Sequence, residues 1–137
     1  MRRVVLDTNV LVASLLQPVG RCGRLLDLVV DGAAEVCVDD RVLAEYAEVL
    51  TRRKLHLPPE KVQTLLEFFR QSGIPVIAHP LAVTTLPDPD DLAFLEVAAS
   101  GEALLVTGNQ RHFPKSAPGA VSVLSPAECL EALRKHA

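Results

Sequence analysis

The run Leu86-Pro87-Asp88-Pro89-Asp90-Asp91 places three carboxylates within four residues. Pro89 pushes Asp88 into extended backbone and suits the first position of a helix, which makes Asp88 a natural N-cap. Asp90 and Asp91 then fall in the first turn, where negative charge complements the helix dipole. That accounts for one or two acids. Three so close repel one another, and a bound cation would relieve the repulsion. Asp7 follows the apolar run Val4–Leu6 and precedes Thr8 and Asn9. All three residue types suit a helix N-terminus, but a carboxylate at the edge of a sheet, positioned by Thr8 and Asn9, can serve as a ligand and a cap at once. Glu45 sits in a helical pattern whose apolar stripe is Val42, Leu43, Tyr46, Val49 and Leu50. At about 100° per residue, Glu45 falls on the border of that stripe and Glu48 on its far side. Glu45 can therefore lean over a sheet edge or snorkel to solvent, while Glu48 faces water. Asn109 follows Thr107-Gly108, which is ordinary turn chemistry.

Carboxylates and amide oxygens are ligands for a hard divalent cation. Mg²⁺ takes a few carboxylates and fills its shell with water and substrate phosphate oxygens. His56, His79, His112 and His136 share no ligand spacing, so the pattern argues against zinc. Cys22, Cys37 and Cys129 are odd in number and lack a C-x-x-C pair, which indicates neither a disulfide framework nor a zinc site. Cys37 and Cys129 read as small core residues. The net charge of −3 removes any bulk-charge argument for nucleic-acid binding. Contacts to phosphates would have to come from local basic groups: Arg21 and Arg24, then Arg52, Arg53 and Lys54, then Arg111, His112 and Lys115. Each of these also reads as solvated surface, and Arg52-Arg53-Lys54 as a well-placed helix C-terminus.

The elements that must hold these groups alternate along the chain. Strands are expected at Val4–Leu6, Val36–Val38, Pro75–Ala78, Ala103–Val106 and Val121–Leu124. Helices are expected at Asn9–Gln17, Gly20–Asp31, Asp40–Lys54, Pro58 to about Gln71, Pro89–Ser100 and Ser125–Lys135, with a connector over Leu81–Asp88. Ser125 reads as an N-cap and Pro126 as the first helical residue. Alternation of this kind implies an α/β protein with a parallel sheet covered on both faces, a three-layer sandwich. The 137 residues, 49% of them apolar and 4% aromatic, suit one such domain over 1–137. In an open parallel sheet, ligands bind beyond the carboxyl ends of the strands, where strand order reverses. Asp7, then Asp39 and Asp40, then Thr107 to Asn109 follow three of the expected strands. No apolar run approaches a membrane span and the N-terminus carries no secretory pattern, so a cytoplasmic protein is expected, with no membrane partner.

Asp-Thr-Asn after the first strand, a Glu within LAEYAEVLTRR, then DPDDLAFLEVAAS and the strand-turn TGNQRHF together resemble the PIN-domain family, in particular its prokaryotic toxin-like (VapC-type) members. The resemblance runs from Val4 to about Leu124 and rests on the order of four motifs, each weak alone. It implies a five-stranded parallel sheet of order 3-2-1-4-5 and a Mg²⁺- or Mn²⁺-dependent endoribonuclease, often a toxin silenced by a small antitoxin. It also implies self-association as a homodimer. By position, Asp7, Glu45 and Asp91 match the family's first three acids, Asp88 an additional acid, and Thr107 a hydroxyl near the site. The fourth acid falls at Asn109, where this chain has a neutral amide. Metal ligands are thus implied at Asp7, Glu45, Asp91, Asp88 and Asn109, with Thr8, Asn9 and Thr107 in support. Among the basic residues, Arg24, Arg52 and Arg111 are the implied RNA contacts.

Asn109 keeps a second reading alive, a catalytically silent PIN-fold domain that only binds a partner. A phosphoacceptor signalling domain also joins a parallel sheet to an acidic metal site. It needs an Asp after strand three and a Lys after strand five, where this chain has His79-Pro80 and Ser125-Pro126.

Overall fold

The computed structural model describes residues 2–82, 86–113 and 121–135. β1 (Arg3–Leu6), β2 (Glu35–Val38), β3 (Ile74–Pro75), β4 (Leu104–Val106) and β5 (Val123–Leu124) form one parallel sheet in the order β3-β2-β1-β4-β5. In β1 and β2 every residue after the first is buried, as expected of central strands covered on both faces. Six α-helices connect and cover the strands: α1 (Thr8–Leu16), α2 (Arg21–Val30), α3 (Asp40–Leu50), α4 (Pro59–Ser72), α5 (Asp91–Gly101) and α6 (Pro126–Lys135). By the right-handed crossover rule, the β1–β2 and β2–β3 connections run over one face. The β3–β4 connection returns over the other. Accordingly, side chains of α1, α2 and α4 line a common groove, while α5 packs across β1, β2 and β4. The order reverses between β1 and β4, so the carboxyl ends of those two strands form the crevice where such sheets bind ligands.

Tyr46 of α3 packs its ring 4.9 Å from Phe69 of α4 and 6.0 Å from Phe94 of α5. Its buried hydroxyl donates to the Leu6 carbonyl, joining α3 to the last residue of β1. Gly23 is required where α2 begins, because a Cβ there would lie 2.0 Å from the Pro18 carbonyl oxygen. α6 opens with a reciprocal cap. Glu128 N–H donates to Ser125 Oγ at 3.1 Å, and Ser125 N–H donates to Glu128 Oε1 at 2.9 Å.

Several expected boundaries move. α3 stops at Leu50, not Lys54, because the Thr51 hydroxyl donates back to the Ala47 and Glu48 carbonyls and Arg52 turns extended. Arg53–Leu55 then forms a separate 3-10 turn. The basic triplet therefore lies past the helix and does not cap it. α5 begins at Asp91, not Pro89. Asp88 is not its N-cap, since its carboxylate closes a local turn by accepting the Asp90 N–H at 3.0 Å. β3 is the edge strand and pairs only through Ile74 and Pro75, because its partner β2 ends at Val38. One further bond, Val76 N–H to the Val38 carbonyl, closes the pairing. β4 and β5 start one and two residues later than expected. Lys115 and the middle of the 81–88 connector lie outside the described residues.

Candidate active site

β1 and β4 end side by side, and a hydrogen-bonded clamp holds their ends together. The Asp7 N–H donates to the Val106 carbonyl at 2.9 Å. Thr107, fully buried, donates its hydroxyl to Asp7 Oδ2 at 2.8 Å and accepts the Asn109 N–H at 3.0 Å. Asn9 completes the clamp: its Nδ2 reaches Thr107 Oγ1 at 3.4 Å and its Oδ1 accepts the Gly108 N–H at 3.2 Å. Thr8 and Asn9 were expected to position Asp7. Asn9 does so through Thr107, whereas the buried Thr8 hydroxyl has no hydrogen-bond partner among the described residues. Asp7 is the residue before α1, but its side chain makes no cap bond to the helix and turns to Thr107 instead.

Asp91 faces this clamp from the first residue of α5. It is 8% exposed and Asp7 7%. Burial is the main cause that raises both carboxyls. For Asp7 the Thr107 hydrogen bond and the Thr8 backbone N–H oppose it. For Asp91 the neighbouring charges of Asp7 and Asp88 add to it, and its pKa reaches about 6. His112, from the 3-10 turn Gln110–His112, brings Nδ1 to 3.7 Å from Asp91 Oδ2. Gln110 anchors that turn by donating to the Val123 carbonyl and to Glu128.

The remaining acids stand further out. Asp88 is exposed but close enough to raise Asp7, Asp91 and Glu45. Glu45 is half-buried on α3 and raised by burial first, then by the charges of Asp90 and Glu48. The structure thus pairs Asp7 with Asp91 and sets Glu45 beside Asp90, with Asp88 in reach of both. Among the described residues, no three of these side chains converge on one point. Asn109 is exposed, tied in by its backbone N–H. Glu48 lies on the water side of α3, as its helix position predicts, and accepts Arg52 Nε at 3.0 Å and Nη2 at 2.7 Å. Arg24 is exposed on α2 and Arg111 in the turn after β4. Neither shares a hydrogen bond or ion pair with the acids among the described residues.

The sequence reading missed one network. Glu96 of α5, 5% exposed, accepts Arg41 Nη1 at 2.7 Å and the Leu81 N–H at 2.7 Å. Arg41 also grips Asp39, whose carboxylate caps α3 by accepting the Val42 N–H at 2.9 Å. Glu96 therefore ties α5, which carries Asp91, to α3, which carries Glu45, and to the start of the acidic connector. The signal was a charge in the otherwise apolar run LAFLEVAAS.

The donor set fits a divalent cation of the Mg²⁺ type. Such an ion binds through one or two carboxylates and completes its shell with water and phosphate oxygens. Asp7 and Asp91 are two buried carboxylates, both raised mainly by burial, and the charge of Asp7 raises Asp91 further.

Residues 3–111 match the PIN domain family, and the chain belongs to it. PIN domains are generally nucleases, and PIN nucleases generally use divalent metals. The uncharacterised protein MJ1680 of Methanocaldococcus jannaschii is 30% identical over 112 residues, 79% of this chain and 71% of that protein. Among solved structures, VapBC2 from Rickettsia felis, bound to a DNA fragment from its promoter, gives a TM-score of 0.58 at 19% identity. FitAcB from Neisseria gonorrhoeae gives 0.51 at 20%. Each likeness covers 90% of this chain and 98% of the other, and at these identities it shows the fold. No described helix is long and apolar enough to cross a membrane.

Proposed function

We propose that this protein is a Mg²⁺- or Mn²⁺-dependent endoribonuclease, the toxin of a toxin–antitoxin pair, acting as a homodimer held silent by a small antitoxin. The observation that carries the nuclease reading is the buried Asp7–Asp91 pair at the β1–β4 switch point of a PIN chain. The toxin reading is supported by fold likeness to VapBC2 and FitAcB and by the motif order.

Asp7 and Asp91 would hold the cation, with Asp88 and Glu45 reaching it directly or through water. A divalent ion there supplies charge neutralisation at the phosphate and a more acidic water for attack on phosphorus. Thr107 fixes Asp7 by donating to Oδ2, leaving the other oxygen for coordination. Asn9 and the Asn109 N–H hold Thr107 in turn. His112 lowers the cost of two adjacent anions before the ion arrives. Arg24, Arg52 and Arg111 are the candidate contacts to RNA phosphates; such contacts position the strand without reading it. Asn109 brings an amide oxygen without charge, so a second ion would depend on substrate oxygens for its shell.

A labelled RNA incubated with Mn²⁺ and the purified protein tests this. Cleavage should stop with chelator, and Asp7→Asn, Glu45→Gln and Asp91→Asn should each lower it about 100-fold or more, since even outer-shell changes at metal sites cost 10–100-fold. Cleavage that survives chelator or all three substitutions sinks the reading. The second reading, a silent partner-binding domain, is favoured by the exposed neutral Asn109. It predicts no cleavage by wild type under any divalent ion.

A further inference from the structure

We infer that the cavity between the end of α3 and the start of α4 is a subsite for one unpaired base of the RNA strand, beside the phosphate held at the acids. This rests on the ribonuclease reading. The cavity measures about 500 Å³, within the range of pockets that bury a small ligand. Leu50, Leu57, Pro59 and Val62 form an apolar floor, and Leu50 and Val62 are each 2% exposed. Arg52, Arg53 and His56 form the rim.

Three features commit the cavity to a base. The first is chemistry. RNA sequence is read mainly on unstacked bases, laid on aromatic rings, imidazoles or guanidinium planes. Among the described residues no Phe, Tyr or Trp lines this cavity, so stacking falls to His56 and Arg52. Arg52 is preorganised for it: Glu48 holds the guanidinium through two nitrogens, and the side chain stays 43% exposed. Gln63 on the wall can both donate to and accept from a base edge.

The second is position. Arg52 lies just past the end of α3, where Glu48, one turn after Glu45 on that helix, holds its guanidinium. Its charge interacts with both Glu45 and Asp90. A strand whose phosphate sits at the acids would pass this rim with its neighbouring nucleotide.

The third is the rim itself. His56 adopts the left-handed conformation, φ 51° and ψ 34°, which strains a non-glycine residue. His56 ends the turn Arg53–Leu55, and Arg52, Arg53 and His56 all line the cavity in a chain whose net charge is −3. Basic groups around an apolar cavity suit an anionic strand with a splayed base by charge complementarity.

The test is an abasic scan. RNA oligonucleotides that the protein cleaves are remade with one abasic nucleotide at each position around the cut. Base stacking is worth about 1–3 kcal/mol, so one flanking position should lose about 5–160-fold in kcat/KM while others change little. Val62→Phe, which fills the floor, should cause a similar loss on intact RNA and no further loss on that abasic RNA. Gln63→Trp blocks the cavity from an exposed position and serves if Val62→Phe does not fold. A flat scan, or a folded, filled variant that cleaves as wild type does, overturns the subsite while leaving the ribonuclease standing. If filling the cavity instead changes only self-association in light scattering, the cavity is a contact between copies and the subsite is overturned. Anisotropy with the same oligonucleotides separates the two claims. Binding that shows the abasic penalty without any cleavage keeps the subsite and overturns the ribonuclease reading.

Discussion

Asp91 and Glu96 lie five residues apart on α5, and both carboxylates are buried. Their surroundings differ completely. Glu96 is matched on both oxygens, by the Arg41 guanidinium and by the Leu81 N–H. Asp91 faces Asp7 and Asp88, and among the described residues the one basic side chain beside it is His112, with Nδ1 3.7 Å from its carboxylate. A buried charge that is paired and hydrogen-bonded holds a structure together. One left among like charges makes the metal-free fold less stable, and such perturbed groups cluster at functional sites. The same helix thus carries a strut and a site, and the difference lies in what other elements bring to each.

Removing the strut should have the largest effect on stability. Glu96→Ala leaves Arg41 with Asp39 alone and the Leu81 N–H without its acceptor. It should cost about 2–3 kcal/mol, below the usual range for breaking a buried pair because Arg41 is half exposed. Denaturant unfolding reads this directly. A change under 0.5 kcal/mol (an order-of-magnitude threshold for ordinary surface substitutions) would mean that Glu96 is not a strut.

Removing the unmatched charge should do the opposite. In the metal-free protein Asp91 has a pKa of about 6 against an ordinary 3.8. Between those values the folded state binds more protons than the unfolded state. This group's contribution is therefore most favourable below about pH 4 and is lost as pH rises through 6. At pH 7 with chelator, Asp91→Asn should stabilise the fold by about 1–2 kcal/mol, after discounting for solvent access. The gain should fade by about pH 4. Thermal melts of both proteins at pH 4, 5.5 and 7 would show it, and a gain that grows on acidification would reverse the argument. Added Mn²⁺ should raise the wild-type melting temperature at pH 7 more than at pH 5, because protons and the ion compete for the same carboxylates.

Glu48 supplies the smallest contrast. It sits one turn from Glu45 on the exposed side of α3, and its carboxylate pairs with Arg52. Glu48→Gln should leave the melting temperature within about 2 °C, as for most surface pairs, and RNA cleavage within about threefold, because the glutamine carbonyl oxygen still accepts from Arg52. A loss as large as that of Glu45→Gln would show that the helix face was misassigned.

Much of the fold was legible without coordinates. The Val- and Leu-rich runs alternating with helical periodicity gave the parallel α/β class, and the motif order gave the strand order. Boundaries were less legible where a side chain competed with the backbone. Thr51 ended α3 early, and Asp88 spent its oxygen on a local turn instead of a cap. Asp7 and Thr107 could be placed at strand ends from the sequence, whereas Asp91 was singled out by the resemblance and opens α5 two residues later than the helix was expected to begin.

What the sequence determined by itself is local. Proline fixes dihedrals, apolar spacing fixes which side of an element is buried, and Glu48 faces water because 100° per residue leaves it no alternative. Only the tertiary structure decided how charges from distant segments meet. Thr107 reaches Asp7 across 100 positions, and Arg41 reaches Glu96 across 55. Pairing of this kind depends on strand order and on the few ångströms over which a carboxylate and its neighbour interact strongly. No spacing rule along the chain encodes those distances. That is why it took the fold to separate Glu96, matched by Arg41, from Asp91, which faces other acids.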